Sequence, residues 1–589
     1  MSKNITRLTF ILLIILSSQY LYSQHPEHIR YTSPVNNSYY NMESTIIIIG
    51  YDSHIDPREI RFKVLGSYSG IHYGTTKILN RDPLKISFTP EKPFKYGEKV
   101  TVTGFNDEDR LVFNIRTQPV GNVTNLVSER LSFETQSLKP VVNQNQYSML
   151  FDTLPQFVIN QYGQTATGNL FLINFDNSPA LASYLMILNN DGTPKFSRKL
   201  RFRGFDFKRQ NNKYVYWDEN HYHYKALDST YAEVDSFYCK GGYITDFHEC
   251  VLEPDNSAWL MSYDTQIIDM SLIYPGGKQI VQVTGLIIQK INAQKDLVFQ
   301  WRSWDHMSIL DATHEDFTAY AIDYVHGNSI EVDTDGNILI SSRHLDEITK
   351  IDTETGEIMW RLGGKNNQFN FTNDTAKFSH QHSARRLSNG NILLFDNGNF
   401  HTPQYSRAVE YKLNETEMKC NLEWEYRNTP NLYAFAMGNV QRLPNGNTLI
   451  GWGANNTTLT EVAPDKSVKY TLALPSGQWS YRSFRYNTVD VITNSDPVNN
   501  FVNDYNLSQN YPNPFNPVTK INFSIPKTGF VSLVVYDMLG KEVAVLVDKV
   551  MNNGSYSVNF NASALSSGIY FYKISVNDFM DVKKMMLIK

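Results

Sequence analysis

One turn-and-strand unit recurs six times between residues 155 and 485, and it limits the fold more than any other feature of the chain. It reads TGNLFLINFD (167–176), QNNKYVYWDE (210–219), DNSAWLMSYD (255–264), DGNILISSRH (335–344), NGNILLFDNG (389–398) and NGNTLIGWGA (445–454). Each copy sets Asn, Asp or Gly where a tight hairpin needs positive φ, beside a short apolar strand. Most copies run on into a second hairpin, as in SYLMILNNDGTPKFSRKL (183–200), LIIQKINAQKDLVFQWRSW (286–304), EITKIDTETGEIMWRLGG (347–364) and AVEYKLNETEMKCNLEWEYR (408–427). Two hairpins make a four-stranded sheet, and such a sheet repeated is a propeller blade. The pattern predicts an all-β chain with a six-bladed β-propeller over 155–485. Residues 305–322 interrupt it and read as a rim loop.

A chain of 589 residues exceeds one core. Residues 25–118 carry short alternating strands and turn residues, which predicts an immunoglobulin-like β-sandwich acting as a spacer. Residues 486–504 read as a polar linker, and 505–589 alternate strongly, as a second small sandwich does. At the start, Lys3 and Arg7 precede LTFILLIILSS (8–18), with Ser23 placed for cleavage before Gln24. This predicts a signal peptide over 1–23, with an N-terminal anchor helix as the alternative. Of the three cysteines, Cys239 and Cys250 are candidates to pair across a short loop, leaving Cys420 over. The net charge of −5, with no basic block, gives no reason to expect a nucleic-acid partner.

Register brings the chemistry forward. His248 lies eight residues before Asn256, His326 ten before Gly336, and His382 eight before Gly390. All three are predicted to start the innermost strand of consecutive blades, where strand starts meet at one mouth of the channel. Arg343, seven residues after Gly336, is expected at the same mouth. Three imidazoles and a guanidinium suit sulfuryl transfer, which needs cationic donors on three outer oxygens, a neutral imidazole as nucleophile and a second imidazole to protonate a departing phenolate. His380 is a rival nucleophile, expected on the strand face of His382 and nearer the rim. Tyr243, Tyr324, Phe400 and Trp452 fall near blade rims, where aromatics are more often packing. WRLGGKNNQF (360–369) lacks the Lys-Ser/Thr ending of a phosphate loop, and no serine nucleophile elbow occurs.

The segments DFHEC (246–250), DYVHGNSI (323–330), DGNILISSR (335–343), IDTETGEIMWRLGG (351–364) and FSHQHSARRLSNGNILLFDNG (378–398) resemble the bacterial arylsulfotransferases that work without the nucleotide donor PAPS. The resemblance implies a six-bladed propeller and ping-pong transfer through a sulfohistidine, from an aryl sulfate donor to a phenolic acceptor, with no cofactor and no metal. By motif, His382 matches the histidine that is sulfurylated, His326 and Arg343 match residues that hold the sulfuryl oxygens, and His248 matches the remaining active-site histidine. Asn328 falls in the HxNS segment and is expected to orient the site. Ser383 stands where the family usually has an acidic residue. YPNPFNP (511–517), YDMLGKEV (536–543), SSGIYFYK (566–573) and the tail KKMMLIK (583–589) resemble the C-terminal sorting domain of the type IX secretion system. That implies the type IX machinery as partner and a secreted or outer-membrane-attached protein.

Two other classes fit the same residues. Three imidazoles around a channel make a plausible zinc, copper or manganese site, hence a metal-dependent propeller enzyme. A non-catalytic cell-surface binding protein fits the flanking sandwiches equally. Donor, acceptor and oligomeric state are not legible in the sequence.

Overall fold

The computed structural model describes residues 29–51, 56–58, 60–81, 84–105, 110–118, 154–175, 183–488, 505–510, 512–551, 554–577 and 579–589. The expected signal peptide and nearly all of the expected linker lie outside the described residues. The described chain is all-β, and its helices are single turns such as Ser303–His306 and Ile309–Asp311. None of them is long and apolar enough to cross a membrane.

The chain divides into two compact units, Met1–Val489 and Asp490–Lys589. The first begins with two sheets. One orders Ile29–Ser33, Ile47–Tyr51, Leu84–Pro90 and Gly74–Arg81; the other orders Ser38–Asn41, Leu111–Ile115, Lys99–Thr103, Lys63–Gly66 and Gly70–His72. Alternate apolar side chains from both, among them Ile47, Ile49, Phe88, Val100 and Phe113, close one core. This module packs against the region that follows. Its Tyr31 and Ile48 belong to the same apolar cluster as Trp259, Phe299 and Trp301. The Tyr31 hydroxyl donates to Gln300 O at 2.8 Å, and the buried Arg302 donates to Tyr40 O and Asn41 Oδ1 at 3.2 and 2.8 Å.

Residues 154–488 then build six mainly antiparallel sheets. Their innermost strands are, in chain order, Gly204–Gln210, Thr245–Leu252, Gly327–Val332, His382–Arg386, Asn439–Arg442 and Phe484–Tyr486. The inner strands from Gly204–Gln210 to Asn439–Arg442 touch in turn, and Phe484–Tyr486 pairs with Asn169–Phe171, so the end of this region completes the sheet begun at its start. Val158–Gln161 adds an outer strand to the sixth sheet. The six repeats recognised in the sequence form the second strand of each sheet. Their turns take the positive φ that the composition demands, at Gly168, Asn211, Asn212, Asn256, Gly336, Gly390 and Gly446. At Gly336 and Gly390 an added Cβ would meet open space, so it is backbone conformation and not room that favours glycine.

Residues 303–320 form no strand; they carry the two single helical turns and lead to the short strand Ala321–Asp323. Cys239, Cys250 and Cys420 are all free and buried, so Cys239 and Cys250 do not pair. Tyr243, Tyr324 and Trp452 are core residues, whereas Phe400 is 50% exposed.

The second unit has its own core. Asn506–Leu507, Val518–Ile525 and Gly554–Asn561 form one sheet; Glu542–Met551, Gly529–Tyr536, Gly568–Val576 and Phe579–Leu587 form the other. Ile521, Phe523, Leu533, Tyr572 and Ile574 pack between them.

Candidate functional site

The antiparallel ladders of four inner strands shift register, one in Gly204–Gln210 between Phe205 and Lys208 and three beside the motif histidines. The latter three fall between Thr245 and Cys250, between Gly327 and Ser329, and between His382 and Arg385. His248 lies inside the first of these, and His326 and His382 sit at the edges of the other two. A bulge of this kind ends pairing and re-aims the side chains beside it. His326, His380 and Ser383 also take positive φ (49°, 52° and 56°), a conformation that costs energy outside glycine and concentrates at functional sites.

Of the four motif residues, His248, His326 and Arg343 are neighbours, while the printed partners of His382 are His380, Asn397 and Met437. His248 and His382 are fully buried and His326 is 4% exposed. The rings of His248 and His326 stand edge to face with centroids 5.2 Å apart, and Tyr263 packs on both. Arg343 follows the second strand of the fourth sheet, and its backbone N–H donates to His326 O at 2.9 Å. Its guanidinium donates to His344 Nε2 at 2.7 Å and to Phe435 O at 3.1 Å. Asn328 ties the fourth sheet to the fifth: its amide donates to Gln381 O at 2.7 Å and accepts from Ser383 N at 3.2 Å.

Each motif imidazole is held through Nδ1. Asp246 Oδ1 lies 2.5 Å from His248 Nδ1, and Asp323 Oδ2 lies 2.8 Å from His326 Nδ1. For His382 the partner is Asn397 Oδ1 at 2.7 Å, with His380 O at 3.1 Å. The Asn397 amide nitrogen donates to Ala434 O and Met437 O, so its oxygen is the atom that faces the ring. Two acceptors at Nδ1 require a proton there. His382 is therefore the Nδ1–H tautomer, with its lone pair on Nε2, where the Met437 N–H makes a long 3.3 Å contact.

Sequence reasoning missed the orienting residues Asp246, Asp323 and Asn397, and it missed His344, Glu315 and His314. A signal for two of them was present: an aspartate stands two residues before His248 and three before His326. The expectation for His380 is corrected. It does not continue the strand of His382, which starts at His382 itself, because positive φ turns the backbone just before it. It is 7% exposed, and among the described residues neither ring nitrogen has a hydrogen-bond partner. Its ring lies 5.5 Å from His344, 5.9 Å from His314 and 4.9 Å from Phe400.

The electrostatics follow from burial and local cations. Burial, then the charges of His326 and Arg343, lower His344 to about 3. Burial, then Arg343 and the neighbouring imidazoles, hold His380 well below the usual histidine range. Both are neutral at pH 7. Burial, then the nearby Asp323 charge, raises Glu315 to about 7 against the pull of Arg343, His326 and His314. Among the described residues, the group with metal-ligand spacing is Asp323, His326 and His344, with one ligand atom each within 4.8 Å. The motif trio itself does not form such a group. Arg343, bonded to His344, opposes a cation there, whereas an anion would meet a guanidinium and several N–H donors.

Residues 214–473 match the family model for arylsulfotransferase (ASST), and residues 509–589 match the secretion system C-terminal sorting domain. The sorting domain marks the chain for secretion and cell-surface attachment. Among curated proteins, none matches the chain. Solved structures similar to it include a protein of unknown function from Bacteroides caccae (12% identity, TM-score 0.35, covering 54% of this chain and 98% of that one). A catalytically inactive virginiamycin B lyase from Staphylococcus aureus (9%, TM-score 0.29, 54% and 88%) and PorZ of Porphyromonas gingivalis (8%, TM-score 0.23, 69% and 73%) are also similar. Likenesses this distant carry no argument about function. The family matches do: this chain carries an arylsulfotransferase-family domain followed by a type IX secretion sorting domain.

Proposed function

We propose that the chain is an exported sulfotransferase that moves a sulfuryl group from an aryl sulfate to a phenol by a ping-pong mechanism through sulfo-His382. In this reading 1–23 is the export signal and 25–118 an immunoglobulin-like sandwich. Residues 155–485 are a six-bladed propeller, 486–504 a linker and 505–589 the sorting module. The observation that carries the proposal is the fixed tautomer of His382, because Nε2 then offers a lone pair to sulfur.

In the first half-reaction Nε2 attacks sulfur, the N–S bond forms and the S–O(aryl) bond breaks. The departing phenolate takes a proton from Nε2 of His248 or His326, whose Nδ1 atoms are engaged by Asp246 and Asp323. In the second half-reaction the acceptor phenol gives up its proton to the same imidazole. Its oxygen bonds to sulfur, and the N–S electron pair returns to His382. Arg343 and the Met437 N–H, which leaves His382 Nε2 as that atom bonds to sulfur, supply donors for the sulfuryl oxygens. His380 has no partner that fixes its tautomer, which favours His382 as nucleophile.

The test is mass spectrometry after incubation with p-nitrophenyl sulfate alone. One sulfuryl mass on His382 is expected, lost in His382→Asn together with transfer; a sulfurylated His380, or transfer by His382→Asn, would refute the assignment. A metal-dependent enzyme is the second reading, favoured by the spacing of Asp323, His326 and His344. Stoichiometric metal that chelators strip with loss of activity would establish it.

A further inference from the structure

The proposed mechanism does not say where the phenol ring lies, and an aromatic group at the rim has no part in it. His314, from the strandless segment between the third and fourth sheets, stacks on Phe400. Their ring centroids are 3.3 Å apart and the planes 15° from parallel. Phe400 is half exposed, and the His314 side chain is about one-third exposed, held at Nε2 by Asp346 at 3.0 Å. Beneath the pair, His380 stands at right angles to Phe400 (86°) and is 7% exposed.

Two of these features are costly in a free protein. A large aromatic side chain half in water forgoes burial, and a buried ring whose nitrogens have no hydrogen-bond partner among the described residues is desolvated without compensation. A phenol removes both costs at once. Its ring has the size and flatness of the imidazole that already lies on Phe400, and its hydroxyl can bond one nitrogen of His380. The place is joined to the reacting centre: His380 O accepts from His382 Nδ1, and Arg343 lies close enough to depress His380.

We propose that the His314–Phe400 stack marks the phenol-ring subsite, His314 standing in for the substrate ring until a phenol displaces it and bonds its hydroxyl to His380. The proposal rests on the sulfuryl-transfer reading for its ligand class. Phe400 and His380 are binding residues, and His314 is a competitor held within the fold.

Calorimetric titration of the full-length protein with 1-naphthol, without donor, tests it independently of turnover. Phe400→Ala is expected to weaken binding about tenfold, the loss of one aromatic stacking contact. His314→Ala should tighten binding, because no ring need be displaced. In turnover with p-nitrophenyl sulfate, Phe400→Ala should raise KM for the acceptor with kcat little changed, and His380→Gln should recover more of the affinity than His380→Phe. Wild-type affinity in Phe400→Ala overturns the subsite. So does equal weakening by His314→Ala, which would make His314 a wall. If naphthol binds as expected but wild-type protein transfers no sulfuryl group, the subsite stands and the transfer reading falls. If transfer proceeds but Phe400→Ala changes neither affinity nor KM, the subsite falls and the transfer reading stands.

Discussion

The inner strands carry two buried polar regions side by side, and they are built on opposite principles. One is an ionic web. Asp206 and Lys208 from the second sheet, Glu249 from the third, Arg385 from the fifth and Arg482 beside the first interlock. Lys208 pairs with Asp206 at 2.6 Å and with Glu249; Arg482 reaches Asp206 and Glu249 at 3.0 Å each; Arg385 pairs with Glu249. Although burial works against it, Arg385, Arg482 and Lys208 hold Glu249 below the usual carboxylate range. The other region is the imidazole cluster, which begins one residue away at His248. There the motif imidazoles are paired, but at other groups burial outweighs pairing. His344 and His380 are driven neutral, Glu315 is driven up towards 7, and His380 keeps two unbonded nitrogens. Charges that answer each other join sheets; groups left short of partners are available to a ligand.

Three measurements would break or sharpen that contrast. The largest effect is expected in the web. Glu249→Gln leaves three buried cations short of a counter-charge and should cost about 3–5 kcal/mol in denaturant unfolding. A loss below 1 kcal/mol would mean that solvent already screens the web. Next is Arg343→Lys in the cluster. A point charge cannot reproduce the planar fork, so kcat should fall about 10²–10³-fold with stability unchanged. Unaltered kcat, or a fall in unfolding midpoint matching the loss of rate, would move Arg343 from the reaction to the scaffold.

The third effect is in pH dependence. His344 faces His326, Arg343, Asp323, Glu315 and His380. Its folded pKa of about 3 lies below the ordinary 6.5, so between these values the unfolded chain binds a proton that the folded chain refuses. Its contribution to stability is present above pH 6.5 and is lost progressively as pH falls towards 3. His344→Gln should make that slope shallower by up to about 1.4 kcal/mol per pH unit. An unchanged slope in acid unfolding curves would show that His344 is solvated.

The contrast also explains what could be read in advance. The hairpins were legible because an Asn or Gly at a turn answers to local geometry, as at Asn256 and Gly390. His248, His326, His382 and Arg343 could be proposed from sequence because the repeat counts them into register. His380 was misplaced because the alternation rule holds only on a regular strand, and the backbone turns through positive φ just before His382. His314 and Glu315 were invisible because the segment carrying them has no repeat to count.

The amino-acid order alone therefore determined the strands, their turns and which residues stand near the inner strand starts, since those depend on neighbours a few positions away. Only the tertiary structure decided that Asn397 fixes His382, that His344 and His380 become neighbours, and that His314 covers Phe400. Such contacts join different sheets through bulges and loops, where the direction of a side chain is set by packing between sheets and leaves no period in the sequence.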